Sequence, residues 1–219
     1  MLEFALAFAA FLAAHVVPAA SGLRDVAAAR VGRRAWVAGY SVVSTGLLAW
    51  LISAAVRAPY VELWAPGRAL ALAPFLAMPL ACMLLVAGAG RANPVSVSFR
   101  GGAADSARPG VLALTRHPIL WAFALWGASH ALANGDLVSV VMFGGFAVFA
   151  LAGMRGLERR ARRRGEVAGF ALARGPMGER ARQAASGRLA AEAALGLVLF
   201  LVLLALHGPA IGVAPTAWL

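Results

Sequence analysis

The sequence predicts an all-α polytopic membrane protein, and three observations carry this prediction. Hydrophobic residues make up 62% of the 219-residue chain, and the mean hydropathy is +0.79, well above the values of ordinary soluble domains. Six apolar segments each approach the ~20 residues that a helix needs to cross a bilayer. Arginines are concentrated in every second loop between these segments, which is typical of multi-span proteins.

The predicted spans are separated by segments that mix glycine, proline, serine and charge. We place the spans at residues 2–20, 35–56, 69–89, 111–133, 137–154 and 189–207. The chain begins with Met1-Leu2-Glu3 and no basic residue, so the first segment is expected to be retained as a span and not cleaved as a signal peptide. Small residues in the second and fourth spans predict close helix packing in one bundle.

The arginine distribution predicts the orientation of the chain. Loops 21–34, 90–116 and 155–188 hold 4, 4 and 10 of the 20 basic residues. The positive-inside rule places these loops in the cytoplasm and both termini in the periplasm of a bacterial inner membrane. We expect one transmembrane domain over residues 1–219, with an Arg-rich cytoplasmic loop at 155–188 near anionic headgroups. Because this loop lacks interleaved aromatic residues, the expected partner is the lipid bilayer and not nucleic acid.

Histidines inside apolar segments are the first candidates for function, because an unpaired imidazole is costly in hydrocarbon. The chain has four histidines, His15, His117, His130 and His207. His15 is either a ligand to a cofactor or is hydrogen-bonded to a backbone carbonyl freed by Pro18. His207 lies at the end of the last span, where we expect a structural or interfacial role.

The fourth predicted span contains the most informative histidine. Trp126 and Phe123 precede His130 by four and seven residues, so their rings share its helix face and would wall a flat apolar ligand. The structural alternative is an imidazole that is hydrogen-bonded to Asn134 or Asp136 near the outer surface.

The start of the same span contains a second histidine. His117 stands between Arg116 and Pro118, and proline suits the first position of a helix. One interpretation is a cap at the membrane interface. The other is an anion or headgroup site formed by Arg116 and His117 together.

The arrangement of the histidines restricts the ligand. The thirteen residues from His117 to His130 correspond to ~20 Å and about 220° beyond whole turns, so these two rings do not share one ion. Zinc would need three or four ligands, and Cys82, the only cysteine, stands alone. A b-type haem needs only one or two axial imidazoles, and the small residues at 5–14 leave room for a planar ring. Candidate partners for its propionates are Arg24, Arg33 and Arg116. These residues favour haem b over a bare metal ion.

Three segments match a known family pattern: MLEFALAFAAFLAAHVVPA at the amino end, NPVSVSFR at 93–100 and TRHPILWAFALWGASHALANGD at 115–136. They resemble the NnrU family of bacterial membrane proteins, to which the zeta-carotene isomerases are related. The resemblance implies haem b, with axial ligands at His15 and His130 and with His117 as the third histidine of the set. It also implies redox or isomerase chemistry on a hydrophobic small molecule, and a link to denitrification through a reductase partner.

Two other functions stay open at this point. The Arg116-His117-Pro118 tripeptide also resembles a motif of membrane methyltransferases that use S-adenosylmethionine, in which later acidic residues assist. Here only Glu158 falls near the corresponding place. A non-enzymatic assembly factor for a reductase is the second alternative.

Overall fold

The computed structural model describes residues 1–165 and 168–218, and within them the regular structure is helical. Ten α-helices are followed by a short 3-10 helix at Pro215–Trp218. The α-helices are α1 Leu2–Ala20, α2 Leu23–Val31, α3 Arg33–Arg57, α4 Arg68–Ala89, α5 Val111–Leu114, α6 Pro118–Asn134, α7 Leu137–Arg163, α8 Ala168–Ala171, α9 Met177–Ala184 and α10 Gly187–Ile211. β-Pairing in the described part is limited to two isolated bridges, Glu62–Asp136 and Ala92–Arg100. The all-α prediction is therefore confirmed.

Each predicted span falls on helical structure, and the fourth and fifth spans differ most from the prediction. The fourth begins as the short helix α5, and α6 starts only at Pro118. Thr115 is extended, and His117 has φ −127° and ψ 54°. His117 leaves the helical region because it directly precedes Pro118. The fifth predicted span corresponds to α7, which continues to Arg163, and the predicted loop 155–188 also contains α8 and α9. Residues 166 and 167 of that loop lie outside the described residues.

Four helices of the described chain are long and apolar enough to cross a membrane: α3, α4, α7 and α10. The segments Leu2–Pro18 and Leu23–Val31, which meet at a bend of 74°, would together form a fifth span. The chain is thus a multi-pass membrane protein. Many large apolar side chains on these helices are exposed, among them Val42, Leu76 and Leu201, as expected for surfaces that face lipid.

The chain divides into two compact units. The first comprises residues Met1–Leu63 and Asp136–Met142. In it α1 packs against α2 and α3, and Phe4 and Leu51 are among its buried residues. Glu3 accepts a hydrogen bond from Arg57 at 2.6 Å, in an ion pair that is half exposed.

The second unit comprises Trp64–Gly135 and Phe143–Leu219. Here α4 lies between α6 and α10 and packs against both. Glycines allow the close approach: a Cβ on Gly88 would lie 2.9 Å from Ile119 Cγ1, and one on Gly127 would lie 2.6 Å from the Phe143 carbonyl oxygen. Small residues at such contacts let helix backbones approach in lipid.

A buried ion pair ties the end of α4 to α10 in the second unit. Arg91 donates to Glu192 at 2.9 Å and to the Arg108 carbonyl at 2.9 Å. Arg188 donates to the other Glu192 oxygen at 2.8 Å. Because both charges of the Arg91–Glu192 pair are almost fully enclosed, the loss of one partner would leave the other uncompensated.

Candidate functional site: the histidine environments

The His130 ring is held by its own helix. Nδ1 donates to the Trp126 carbonyl at 2.8 Å, and the Ser129 hydroxyl lies 3.5 Å from the same nitrogen. A carbonyl only accepts, so Nδ1 carries the proton and the lone pair of the neutral ring is on Nε2. Within the described part of the chain, Nε2 of His130 has no hydrogen-bond partner.

The side chains proposed as structural partners of His130 do not hold its ring. The Asn134 amide donates to the His130 backbone carbonyl at 2.7 Å. Asp136 accepts from the Ser139 N–H at 2.9 Å, in the first turn of α7. The alternative interpretation of His130, an imidazole that is bound by Asn134 or Asp136, is therefore wrong.

Aromatic rings surround His130 on the α7 side. Its ring centroid lies 5.9 Å from Trp126 and 5.3 Å from Phe143. Trp126 also stacks on Phe146 at 5.7 Å and meets Phe123 edge-on at 6.3 Å. Sequence reasoning identified Trp126 and Phe123 but missed the two α7 phenylalanines. Their spacing of three residues places them on one helix face, but nothing local indicates that this face meets α6.

The first unit contains an imidazole with the same local arrangement. Nδ1 of His15 donates to the Phe11 carbonyl at 2.7 Å, one turn earlier in α1. The acceptor is thus not the carbonyl freed by Pro18. The Phe11 ring lies 4.3 Å from the His15 ring, and Tyr40 of α3 meets it edge-on at 5.7 Å.

His117 differs because other segments hold both of its ring nitrogens. It is 5% exposed and lies just before the first residue of α6. Nδ1 is 2.8 Å from the Ser96 hydroxyl, and Nε2 is 3.2 Å from a Glu158 oxygen. Burial lowers the pKa of His117, although the hydrogen bond to Glu158 opposes this. In the neutral ring Nε2 donates to the carboxylate, and Nδ1 accepts from Ser96.

Arg116 belongs to the same polar cluster. Its guanidinium donates to the Glu158 oxygen that His117 also contacts, at 3.1 Å, and lies 5.6 Å from the centre of the Phe170 ring. The Asn93 amide donates to the Arg116 carbonyl at 2.8 Å. NPVSVSFR and Arg116-His117-Pro118, two motifs far apart in the sequence, are therefore in direct contact.

The remaining candidates have simpler surroundings. Nδ1 of His207 donates to the Val213 carbonyl at 2.8 Å, which agrees with a structural role. Cys82 is buried with a free thiol. In the described ranges no three or more His, Cys, Asp or Glu side chains are grouped to hold a metal ion.

Four helices of the described residues are long and apolar enough to cross a membrane, and they define a multi-pass α-helical membrane protein. The chain belongs to the NnrU family: the family model described as NnrU protein matches residues 3–215. Searches of the curated proteins and of the solved structures found no match.

Proposed function

We propose that this NnrU protein binds one haem b, with His15 and His130 as the axial ligands. The observation that carries the proposal is the arrangement that both rings share. Each donates Nδ1–H to the carbonyl four residues earlier. This bond orients the ring and places the lone pair on Nε2, the form in which an imidazole coordinates iron.

The surroundings of the two rings suit a flat apolar group. Trp126, Phe123 and Phe143 supply aromatic walls near His130, and Phe11 and Tyr40 supply them near His15. An axial haem site needs only one or two imidazoles, whereas a bare zinc ion would need a larger donor set. The donor set present in the chain therefore fits haem better than zinc.

We propose that His117 is not an axial ligand and has a different role from His15 and His130. Both ring nitrogens of His117 are engaged by Ser96 and Glu158, so we assign it a positioning role. Arg116 is paired with Glu158 and lies fourteen residues before His130, ~21 Å along a helix. For the propionates we favour Arg24 and Arg33, which belong to the same unit as His15.

The proposed membrane arrangement has six spans in one domain, with both termini in the periplasm of a bacterial inner membrane. In this arrangement α1 and α6 also cross the bilayer. The 17 residues of α6 correspond to ~26 Å, close to the ~30 Å of the hydrocarbon core. A bound haem would supply iron redox chemistry, for a redox or isomerase-type reaction on a hydrophobic small molecule that is linked to nitrogen-oxide metabolism.

The absorption spectrum of the full chain, purified in detergent from cells with ample haem, tests the proposal. We expect a Soret band, and we expect H15A and H130A each to lose at least about 90% of the bound haem, because a lost axial ligand removes most of the affinity. The matched control is H117Q, since glutamine also offers one donor and one acceptor, and it should keep the band. Colourless wild-type protein, or a band unchanged in both alanine variants, would contradict the proposal.

A further inference from the structure

A cavity of about 330 Å³ lies in the second unit beside the first turn of α6 and the last turns of α7. Its lining combines charged, polar and apolar side chains: Leu114, Thr115, Arg116, His117, Trp121, Glu158, Ala173 and Arg180. The proposed haem ligands are not among them, so this cavity needs a separate explanation.

The guanidinium of Arg180 is fixed without being neutralised. Its Nε donates to the Ala113 carbonyl at 2.8 Å, and one of its terminal nitrogens donates to the Leu114 carbonyl. Arg180 thus caps the end of α5. No carboxylate among the described residues pairs with it, and a carbonyl carries no net charge. The fork is therefore oriented beside the cavity with its positive charge intact.

The remaining charged groups of the lining nearly cancel one another. Arg116 donates to Glu158 at 3.1 Å, and His117 is neutral when its Nδ1 accepts from Ser96. Among the described residues of the wall, Arg180 is left as the one uncompensated positive charge. The Thr115 hydroxyl adds a hydrogen-bond donor, and the half-exposed Trp121 ring adds an apolar surface.

The segments around this end of the unit strengthen its positive potential. Residues 90–116 and 155–188 contain fourteen arginines and four acidic residues. Such an excess raises the local concentration of anions and attracts anionic headgroups at the cytoplasmic surface. An arginine fork matches the oxygen geometry of a phosphoryl group.

We propose that this cavity binds a phosphate ester, with its phosphoryl group beside Arg180 and Thr115 and its apolar part beside Trp121. The ligand is either a phospholipid headgroup or a soluble phosphorylated metabolite. The carboxylate of Glu158 weakens the attraction of the anion and keeps Arg116 in place. This site is independent of the haem proposal, because it shares no residue with the two axial ligands.

Binding to the purified full chain tests the site with three probes. Glycerol 3-phosphate represents the soluble source, glycerol is its uncharged control, and retained phosphatidylglycerol in native mass spectrometry represents the lipid. One of the two phosphate probes should bind the wild-type chain. R180Q should weaken the binding of that probe about tenfold or more, the usual loss for a charge-assisted hydrogen bond. The control R174Q removes an arginine of the same segment outside the cavity, and it should change binding less than about twofold.

A second variant keeps the test decisive if R180Q does not fold. E158Q removes a negative charge from the lining and should tighten phosphate binding about threefold, because like-charge repulsion is lost. Binding of glycerol 3-phosphate indicates the soluble source, and selective loss of phosphatidylglycerol in R180Q indicates the lipid. The proposal is overturned if neither phosphate probe binds, or if R180Q and R174Q behave alike.

Discussion

Helix α6 begins directly after His117 and contains His130, and these two histidines have opposite surroundings. At its start, His117 is held by Ser96 and Glu158, side chains 21 and 41 residues away. Thirteen residues later, His130 is held through Nδ1 by the carbonyl of its own preceding turn and is surrounded by aromatic rings. Both rings are mostly removed from water, but only His130 keeps a ring nitrogen that no described residue engages.

This difference indicates how the chain separates structure from ligand binding. A backbone carbonyl orients an imidazole and uses only one of its nitrogens, so the other stays available for iron. Two side-chain partners use both nitrogens and convert the imidazole into a link between segments. The three predictions that follow disturb the buried Arg91–Glu192 pair, the aromatic surroundings of His130, and one hydroxyl beside each histidine, in order of decreasing effect.

The largest effect is expected from a substitution of Gly110, which lies against the guanidinium of Arg91 in the second unit. A Cβ there would overlap the guanidinium of Arg91, and its φ of 53° also disfavours a side chain. G110A should therefore disturb the buried Arg91–Glu192 pair and lower the free energy of unfolding by about 3 kcal/mol or more. The measurement is the thermal unfolding midpoint in detergent. G101A is the control, because Gly101 has open space around it; equal midpoints would refute this explanation.

An intermediate effect is expected at Gly127, where α6 contacts α7. Its Cβ would lie 2.6 Å from the Phe143 carbonyl oxygen, so G127A must separate the helices and displace the rings beside His130. We expect a loss of about 2 kcal/mol relative to G144A. Gly127 and Gly144 both lie inside helices, so both variants gain the same helix propensity. Of the two, only Gly144 has no neighbour within 4 Å. If the unfolding midpoint of G127A matched or exceeded that of G144A, close packing at this position would be excluded.

The smallest effects are expected when one serine hydroxyl is removed beside His117 or beside His130. S96A leaves Nδ1 of His117 buried without its partner and should cost about 1 kcal/mol. S129A removes a hydroxyl that lies 3.5 Å from His130 Nδ1, but the Trp126 carbonyl still holds that ring. The cost of S129A should therefore be only a few tenths of a kcal/mol. Chemical denaturation in mixed micelles measures both, and a larger loss in S129A would reverse the comparison.

The sequence alone determined where the long apolar helices lie. Hydropathy, glycine and proline act within a few residues, so the first predicted span, 2–20, matches α1, and the third, 69–89, differs from α4 by one residue. Sequence reasoning also found His15, His130 and Trp126, and for His15 it considered a backbone carbonyl as the partner of the ring. Such an acceptor lies one turn away in the same helix and needs no tertiary contact.

Tertiary structure alone decided which side chains meet. The contacts of His117 with Ser96 and Glu158, the position of Phe143 beside His130, and the attachment of Arg180 to α5 all join residues far apart in the sequence. In a soluble helix, the polar and apolar faces indicate which side turns inward. In a membrane helix nearly every face is apolar, so this pattern is missing, and only the packing of one helix on another sets its rotation.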